Sequence, residues 1–331
     1  MIVVTGGAGL IGSALVWTLN QQGRDDIVIV DHLGESEKWQ NLRALRFQDY
    51  LEKDEFRQLL LSGRWQRPVE AIVHLGACSD TTEVNASYLA DNNFAYGKLL
   101  AEYAVAKGSR MVYASSAATY GDGESGFKDD EAGMFALRPL NKYGYSKLLF
   151  DQWLYQRGWL GKFTGNGASF VGLKYSNVFG PNEYHKAHMR SMILRAYEQI
   201  SATGRVGLFK SYRPDYADGE QVRDFLYVKD AALMTLFFLQ DGRDTCGIFN
   251  IGFGATRSWN DLARAVFAAM ALPEDIHYID MPEALRARYQ YYTCLEIDKI
   301  RQAGYKRPML SLEDAVADYV AYLRDGRHLG D

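Results

Sequence analysis

Ile2-Val-Val-Thr-Gly-Gly-Ala-Gly-Leu-Ile-Gly12 is the stretch that decides the fold. A short β-branched run, the composition of a buried strand, meets Gly6, Gly9 and Gly12, and the sequence then turns helical from Leu10 to Gln22. Glycine permits the tight strand-to-helix turn and lets the backbone approach phosphate oxygens that a side chain would displace. The free N–H groups of a helix N-terminus then favour an anion. The turn predicts a dinucleotide pyrophosphate held by Gly6, Gly9, Leu10, Ile11 and Gly12.

Outward from this turn, strand-like runs at Ile27–Asp31, Ala71–Leu75, Arg110–Ser116 and Ser169–Tyr175 alternate with helical patterns at Tyr88–Lys107 and Tyr143–Arg157. That alternation predicts an α/β fold, a Rossmann-type doubly wound parallel sheet whose ligand crevice lies at the carboxyl ends of its strands. Beyond Ser176 the rhythm changes. A helix near Met189–Ala202 leads into an irregular region through Asp218, followed by helices at Val228–Leu239, Ser258–Met270 and Ser311–Arg324 and a strand at Gly247–Gly252. The expected organisation is a nucleotide-binding domain over 1–176 and a smaller α/β substrate-binding lobe over 177–331, with a segment of about 226–256 returning to the sheet.

The 331 residues are 47% hydrophobic with a net charge of -4 and both signs interspersed, so nucleic acid and anionic membranes are not expected partners. Met1 leads straight into the first strand and no apolar run reaches membrane-spanning length, so a cytoplasmic protein is expected. Cys78, Cys246 and Cys294 are widely separated and odd in number, as reduced thiols would be. His185-Lys-Ala-His188 has a ligand-like spacing but no partner nearby in sequence, and no metal is expected.

At the end of the second strand, Asp31 followed by His32 is placed to accept the adenosine ribose hydroxyls; taken alone, it points to NAD. Lys38, Arg43 and Lys53 follow, and each is equally readable as a surface charge or as a cation for a 2′-phosphate. His74-Leu75-Gly76-Ala77-Cys78-Ser79 offers small residues over which the cofactor can pass. Asn92 and Asn93 on the next helix read equally as core hydrogen bonding or as shaping of that pocket.

The chemistry is carried by Tyr143-Gly-Tyr-Ser-Lys147. A phenol with an ordinary pKa of about 10 is a poor base at neutral pH until a cation stabilises its phenolate, and Lys147 lies one helical turn away. Tyr145 has no lysine in the same register. Ser116 is the choice for bonding the reacting oxygen, with Ser115, Thr119 and Tyr120 as rivals. Together the glycine turn and the Tyr-x-x-x-Lys pair indicate a nicotinamide-dependent, short-chain dehydrogenase-like enzyme. Lys186 follows the strand ending at Tyr175 and would overhang the same crevice. By itself it reads as a loop lysine or phosphate clamp before it reads as an acid/base.

These residues resemble the ADP-heptose 6-epimerase family of extended short-chain dehydrogenases, almost from end to end. The resemblance rests on Thr5–Gly12, Gly76-Ala-Cys-Ser-Asp-Thr-Thr-Glu83, Asp91-Asn-Asn93, Ser115–Gly121, Pro139–Lys147, Asn177-Val-Phe-Gly-Pro181 with His185-Lys186, Arg223-Asp-Phe225, Phe249-Asn-Ile-Gly252 and Arg288-Tyr-Gln290. It implies NADP, with NAD as the alternative, as a recycled hydride carrier. The reaction implied is inversion at C6 of ADP-D-glycero-D-manno-heptose through a transient 6-keto sugar, in lipopolysaccharide inner-core synthesis. It makes Tyr143 and Lys186 the two acid/base groups and adds Val178 and Lys186 to the cofactor contacts. Asn177, His188, Arg195, Phe209, Lys210, Ser211, Tyr212, Arg223 and Tyr289 join Ser116 around the ADP-sugar, and a homo-oligomer, a pentamer, is implied.

Leu75, His188 and Arg195 depart from the glutamate, serine and histidine usual in that family, and the 211–221 loop looks longer. The competing readings are a nucleoside-diphosphate-sugar 4-epimerase, a 4,6-dehydratase and a non-catalytic NADP(H)-binding protein. Ala117-Ala118-Thr119 lacks the acidic pair a dehydratase needs, and an intact Ser116, Tyr143 and Lys147 would be superfluous in a pure sensor.

Overall fold

A computed structural model of the chain describes residues 1–286 and 289–331. In chain order its strands are β1 (Ile2–Thr5), β2 (Ile27–Asp31), β3 (Asp49–Glu52), β4 (Ala71–His74), β5 (Arg110–Ser116), β6 (Ser169–Tyr175), β7 (Asn177–Phe179), β8 (Val206–Phe209), β9 (Val222–Arg223), β10 (Phe225–Tyr227), β11 (Gly247–Ile251), β12 (Arg257–Ser258) and β13 (Ile276–Ile279). Seven of them form one sheet in the order β11-β6-β5-β4-β1-β2-β3. Every pair in it is parallel.

All residues of β1, β2, β4, β6 and β11 are buried, as strands covered on both faces must be. Helix α1 (Leu10–Gln21) packs with α7 (Val228–Phe237) on one face. On the other face α4 (Tyr96–Lys107) and α5 (Lys142–Gln156) bury Leu100, Ala104, Leu148, Phe150 and Leu154 in the core over β1, β4, β5 and β6. Each fully buried Leu or Phe there contributes about 1.5–3 kcal/mol. Strand order reverses between β1 and β4, and the ligand crevice of such a sheet opens at this switch point.

Strand β3 and α2 (Lys53–Leu61) are two elements the sequence reading did not anticipate; β3 is only half-buried and its Asp-Tyr-Leu-Glu lacks an apolar run. The helix expected over Tyr88–Lys107 divides into α3 (Ala86–Leu89), a π-helical segment over Ala90–Ala95, and α4. Past Tyr175 the chain builds three small pairs, β7 with β10, β9 with β12, and β8 with β13. The region read as irregular through Asp218 therefore contains β8. Arg288 lies outside the described residues.

Candidate functional site

Gly6 adopts φ 70°, and a Cβ there would stand 2.5 Å from the Gly76 nitrogen, so β1 and β4 release their turns in direct contact. The Ala8 N–H of this turn donates to Asp31 Oδ2 at 2.8 Å. Asp31 Oδ1 takes the His32 N–H at 2.7 Å and Lys38 Nζ at 2.6 Å. The acidic end of β2 thus holds the glycine turn in shape and keeps a lysine beside it. On β4, burial pulls His74 down to about 3, so a neutral imidazole meets Thr5 Oγ1 at 2.7 Å.

The π-helical segment presents Asn92 and Asn93 to different partners, in keeping with the tendency of π-bulges to occur at functional sites. Asn93 accepts the Cys78 N–H at 2.9 Å and donates to the Cys78 carbonyl and Ser146 Oγ, each at 3.0 Å. The loop after β4 is thereby tied to α5, the helix that carries Tyr143 and Lys147. Asn92 accepts Lys53 Nζ at 2.9 Å.

A cleft of about 1110 Å³ runs along the switch point. It is lined by the glycine turn with Asp31, Lys38 and the Leu75–Ser79 loop, and by Ser116, Tyr143 and Lys147. Asn177, Val178, Lys186, His188, Arg195, Phe209 and Tyr289 line it as well. His32, Lys53 and Asn92 border a smaller cavity of about 160 Å³ that shares Gly6, Asp31, Lys38, Gly76, Ala77 and Cys78 with the main cleft. Two of the three cations weighed for a 2′-phosphate, Lys38 and Lys53, line that smaller cavity, whereas Arg43 pairs with Asp331 at 2.5 Å.

Strand alternation separates the hydroxyl rivals. Ser115 Oγ donates to Asp151 Oδ2 at 2.7 Å, while Ser116, one residue on, neighbours the Tyr143 hydroxyl. Thr119 Oγ1 donates to the Ser116 carbonyl at 2.7 Å, and the Tyr120 hydroxyl to Asn250 Oδ1 at 2.7 Å. Burial raises the Tyr143 phenol, and the nearby Ser116 side chain opposes that rise. Lys147 Nζ donates to the Ala114 carbonyl at 2.9 Å, and burial lowers it to about 8 against the pull of Asp151. Lys186 is likewise lowered by burial, with Glu183 opposing. Tyr145 faces outward, 56% exposed.

Four of the expected sugar-nucleotide contacts do not line this cleft. Lys210 pairs with Asp280 at 3.2 Å; the Ser211 N–H donates to Asp218 at 2.7 Å, and the Tyr212 hydroxyl to Asp280 at 3.0 Å. The Arg223 guanidinium lies between the Trp259 and Tyr289 rings, 5.4 and 5.3 Å from their centroids, and donates to the Val222 and Gln290 carbonyls. Trp259 lines the cleft and donates Nε1 to the Tyr289 hydroxyl at 2.9 Å. The sequence reading missed it, and its only signal was an aromatic at the start of a helix. His185 and His188, read as a poor metal pair, diverge: His185 meets Asn41 and His188 meets Asp80 at 3.3 Å.

This combination of turn, acidic strand end and Tyr/Lys pair defines a dinucleotide-dependent class, and the NAD dependent epimerase/dehydratase family matches residues 2–252. The ADP-L-glycero-D-manno-heptose-6-epimerase of Nitratidesulfovibrio vulgaris strain DP4 is 51% identical over 320 residues, covering 97% of each chain. The enzyme of that name from Fusobacterium nucleatum is 45% identical over 328 residues, again 97% of each. The crystal structure of the Helicobacter pylori ADP-L-glycero-D-manno-heptose-6-epimerase superposes with a TM-score of 0.79 at 25% identity, over 98% of this chain and 96% of that one. The chain belongs to the NAD dependent epimerase/dehydratase family and, within it, to the ADP-L-glycero-D-manno-heptose-6-epimerases. Among the described residues, no helix is long and apolar enough to cross a membrane.

Proposed function

We propose that this protein inverts C6 of ADP-D-glycero-D-manno-heptose to give the L-glycero epimer, within lipopolysaccharide inner-core synthesis. The observation that carries the reading is that Tyr143, Lys147 and Lys186 line one cleft. A C–H that is not adjacent to a carbonyl is too weakly acidic for direct deprotonation, so the stereocentre is erased by oxidation. The glycine turn, Asp31 and the small residues after His74 fit a dinucleotide. When bound, that group supplies a hydride acceptor and donor recycled within one turnover through a 6-keto sugar.

The chain's own residues manage the proton. Tyr143 takes it from the C6 hydroxyl or returns it, Lys147 stabilises the phenolate, and Ser116 bonds the same oxygen. Lys186 serves the ketone when it lies in the opposite orientation. NADP is the proposed carrier, because Lys38 and Lys53 face one small cavity beside Asp31. The proposed division of labour gives 1–176 to the cofactor and most of 177–331 to the sugar nucleotide, in a cytoplasmic homo-oligomer.

Incubation of the purified protein with ADP-D-glycero-D-manno-heptose, followed by NMR assignment at C6, tests the reading. Appearance of the L-glycero epimer supports it. An unchanged sugar, with conversion of a UDP-hexose instead, would favour the 4-epimerase alternative.

A further inference from the structure

Lys186 Nζ has no hydrogen-bond partner among the described residues, so its place over the cleft is set by the backbone that carries it. One buried side chain ties that backbone to the glycine turn. We propose that Asn41 is a positioning residue that locks the Lys186 loop to the cofactor turn; the inference rests on the reading of Lys186 as an acid/base.

Asn41 closes the 3₁₀ turn Glu37–Asn41, three residues after Lys38, and is 1% exposed. Its Nδ2 donates to the Ala8 carbonyl at 2.8 Å and to the Asn182 carbonyl at 2.9 Å, and stands 3.3 Å from His185 Nδ1. Its Oδ1 faces His328 Nδ1 at 2.8 Å; because an amide oxygen only accepts, that imidazole nitrogen carries the proton. One amide therefore joins the glycine turn, the loop before Lys186 and a segment from the far end of the chain. Ala8 is gripped at both ends of its peptide, by Asp31 at its N–H and by Asn41 at its carbonyl.

The loop beyond has further anchors. Asn182 holds a left-handed φ of 78°, tolerable for asparagine, and its side chain donates to Ser13 Oγ at 2.9 Å and accepts the Leu329 N–H at 3.0 Å. Buried Glu183 accepts the Ser191 N–H and hydroxyl, each at 2.6 Å, which closes the loop behind Lys186. Between these anchors Ala187 sits at φ 47° and ψ −120°, a backbone state that persists only where its surroundings impose it. Removing the Asn41 donations leaves two buried carbonyls unpaired and frees the near anchor.

The test uses the full-length protein in three assays: epimerisation kcat, thermal midpoint, and the rate at which N-hydroxysuccinimidyl acetate acylates Lys186 without cofactor, read by peptide mass spectrometry against exposed Lys107. For Asn41→Ala we expect kcat to fall about 10–100-fold, the penalty typical of a misplaced catalytic group. Lys186 should acylate several-fold faster relative to Lys107. The double variant Asn41→Ala, Lys186→Met should be no slower than Lys186→Met alone, because both changes disable the same group.

Asn41→Asp keeps the shape and the acceptor for His328 but loses both donations. It should give the same result, and replaces Asn41→Ala if that variant does not fold. His328→Ala should shift labelling in the same direction by less. An unchanged Lys186 acylation rate in a folded Asn41 variant, or a further loss in the double variant, overturns the inference. If Lys186→Met turns over like wild type, the acid/base reading of Lys186 fails, and the labelling rates alone still decide whether Asn41 fixes the loop.

Discussion

Raising the pH should move catalysis and stability in opposite directions through Lys147. In the folded protein this lysine is 5% exposed, and burial lowers its pKa from 10.5 to about 8. The unfolded chain therefore binds one more proton between roughly pH 8 and 10.5, and the native state carries a penalty below that window. That lowering is worth about 3 kcal/mol, so wild-type stability from this group is lowest below pH 8 and rises until pH 10.5. Catalysis runs the other way: only the ammonium stabilises a Tyr143 phenolate, so kcat/KM should fall as pH passes about 8. Thermal melts of wild type and Lys147→Met at pH 7 and 10.5 isolate the stability effect, because the other titrating groups cancel in the difference between the two proteins. Wild type should gain about 3 kcal/mol on the variant across that interval. A constant difference, or a kcat/KM flat to pH 10, would refute the reasoning.

Tyr143→Phe should lower epimerisation about 10²–10⁴-fold while the cofactor stays bound, since the glycine turn is untouched; near-normal turnover removes the phenol from the mechanism. Lys186→Met should nearly abolish epimerisation, while oxidation or reduction of a 6-aldehyde analogue governed by Tyr143 survives; wild-type kcat with unchanged KM would sink the two-base scheme. Replacing Lys38 and Lys53 by Ala should weaken NADP binding at least ~10-fold with little change for NAD, because each charge-assisted contact contributes about 1.5–3 kcal/mol. An equal loss for both dinucleotides in calorimetry would make the lysines structural partners of Asp31 and Asn92.

Local sequence signals carried the nucleotide half well. β4 is the expected strand Ala71–Leu75 less one residue, and Arg110–Ser116 and Ser169–Tyr175 match β5 and β6, because strands buried on both faces are written as continuous apolar runs. The same logic failed for β3, an edge strand whose side chains are only half-buried. That Tyr143, Lys147 and Ser116 share one cleft was legible, because chemistry and register constrain them locally. Asn41 was not: its meaning lies in contacts with Ala8, Asn182 and His328, which no spacing in the chain announces. The residues expected around the sugar nucleotide were legible only through resemblance, and there the structure turns Lys210, Ser211, Tyr212 and Arg223 toward protein partners.

The order in which β6 acquires its neighbours constrains how the protein can be made. Its inner edge pairs with β5, but its outer edge waits for β11, so everything from Ser176 to Cys246 leaves the ribosome before Gly247 can pair with Val171. Arg110 at the start of β5 waits as well, since its guanidinium donates to the carbonyls of Phe238, Gly242 and Thr245. Until then a nascent chain presents an apolar strand with a row of unpaired backbone groups, the kind of edge that recruits other chains. A fragment ending at Ser176 should therefore aggregate or be held by chaperones during synthesis, and extension through Ile251 should release it.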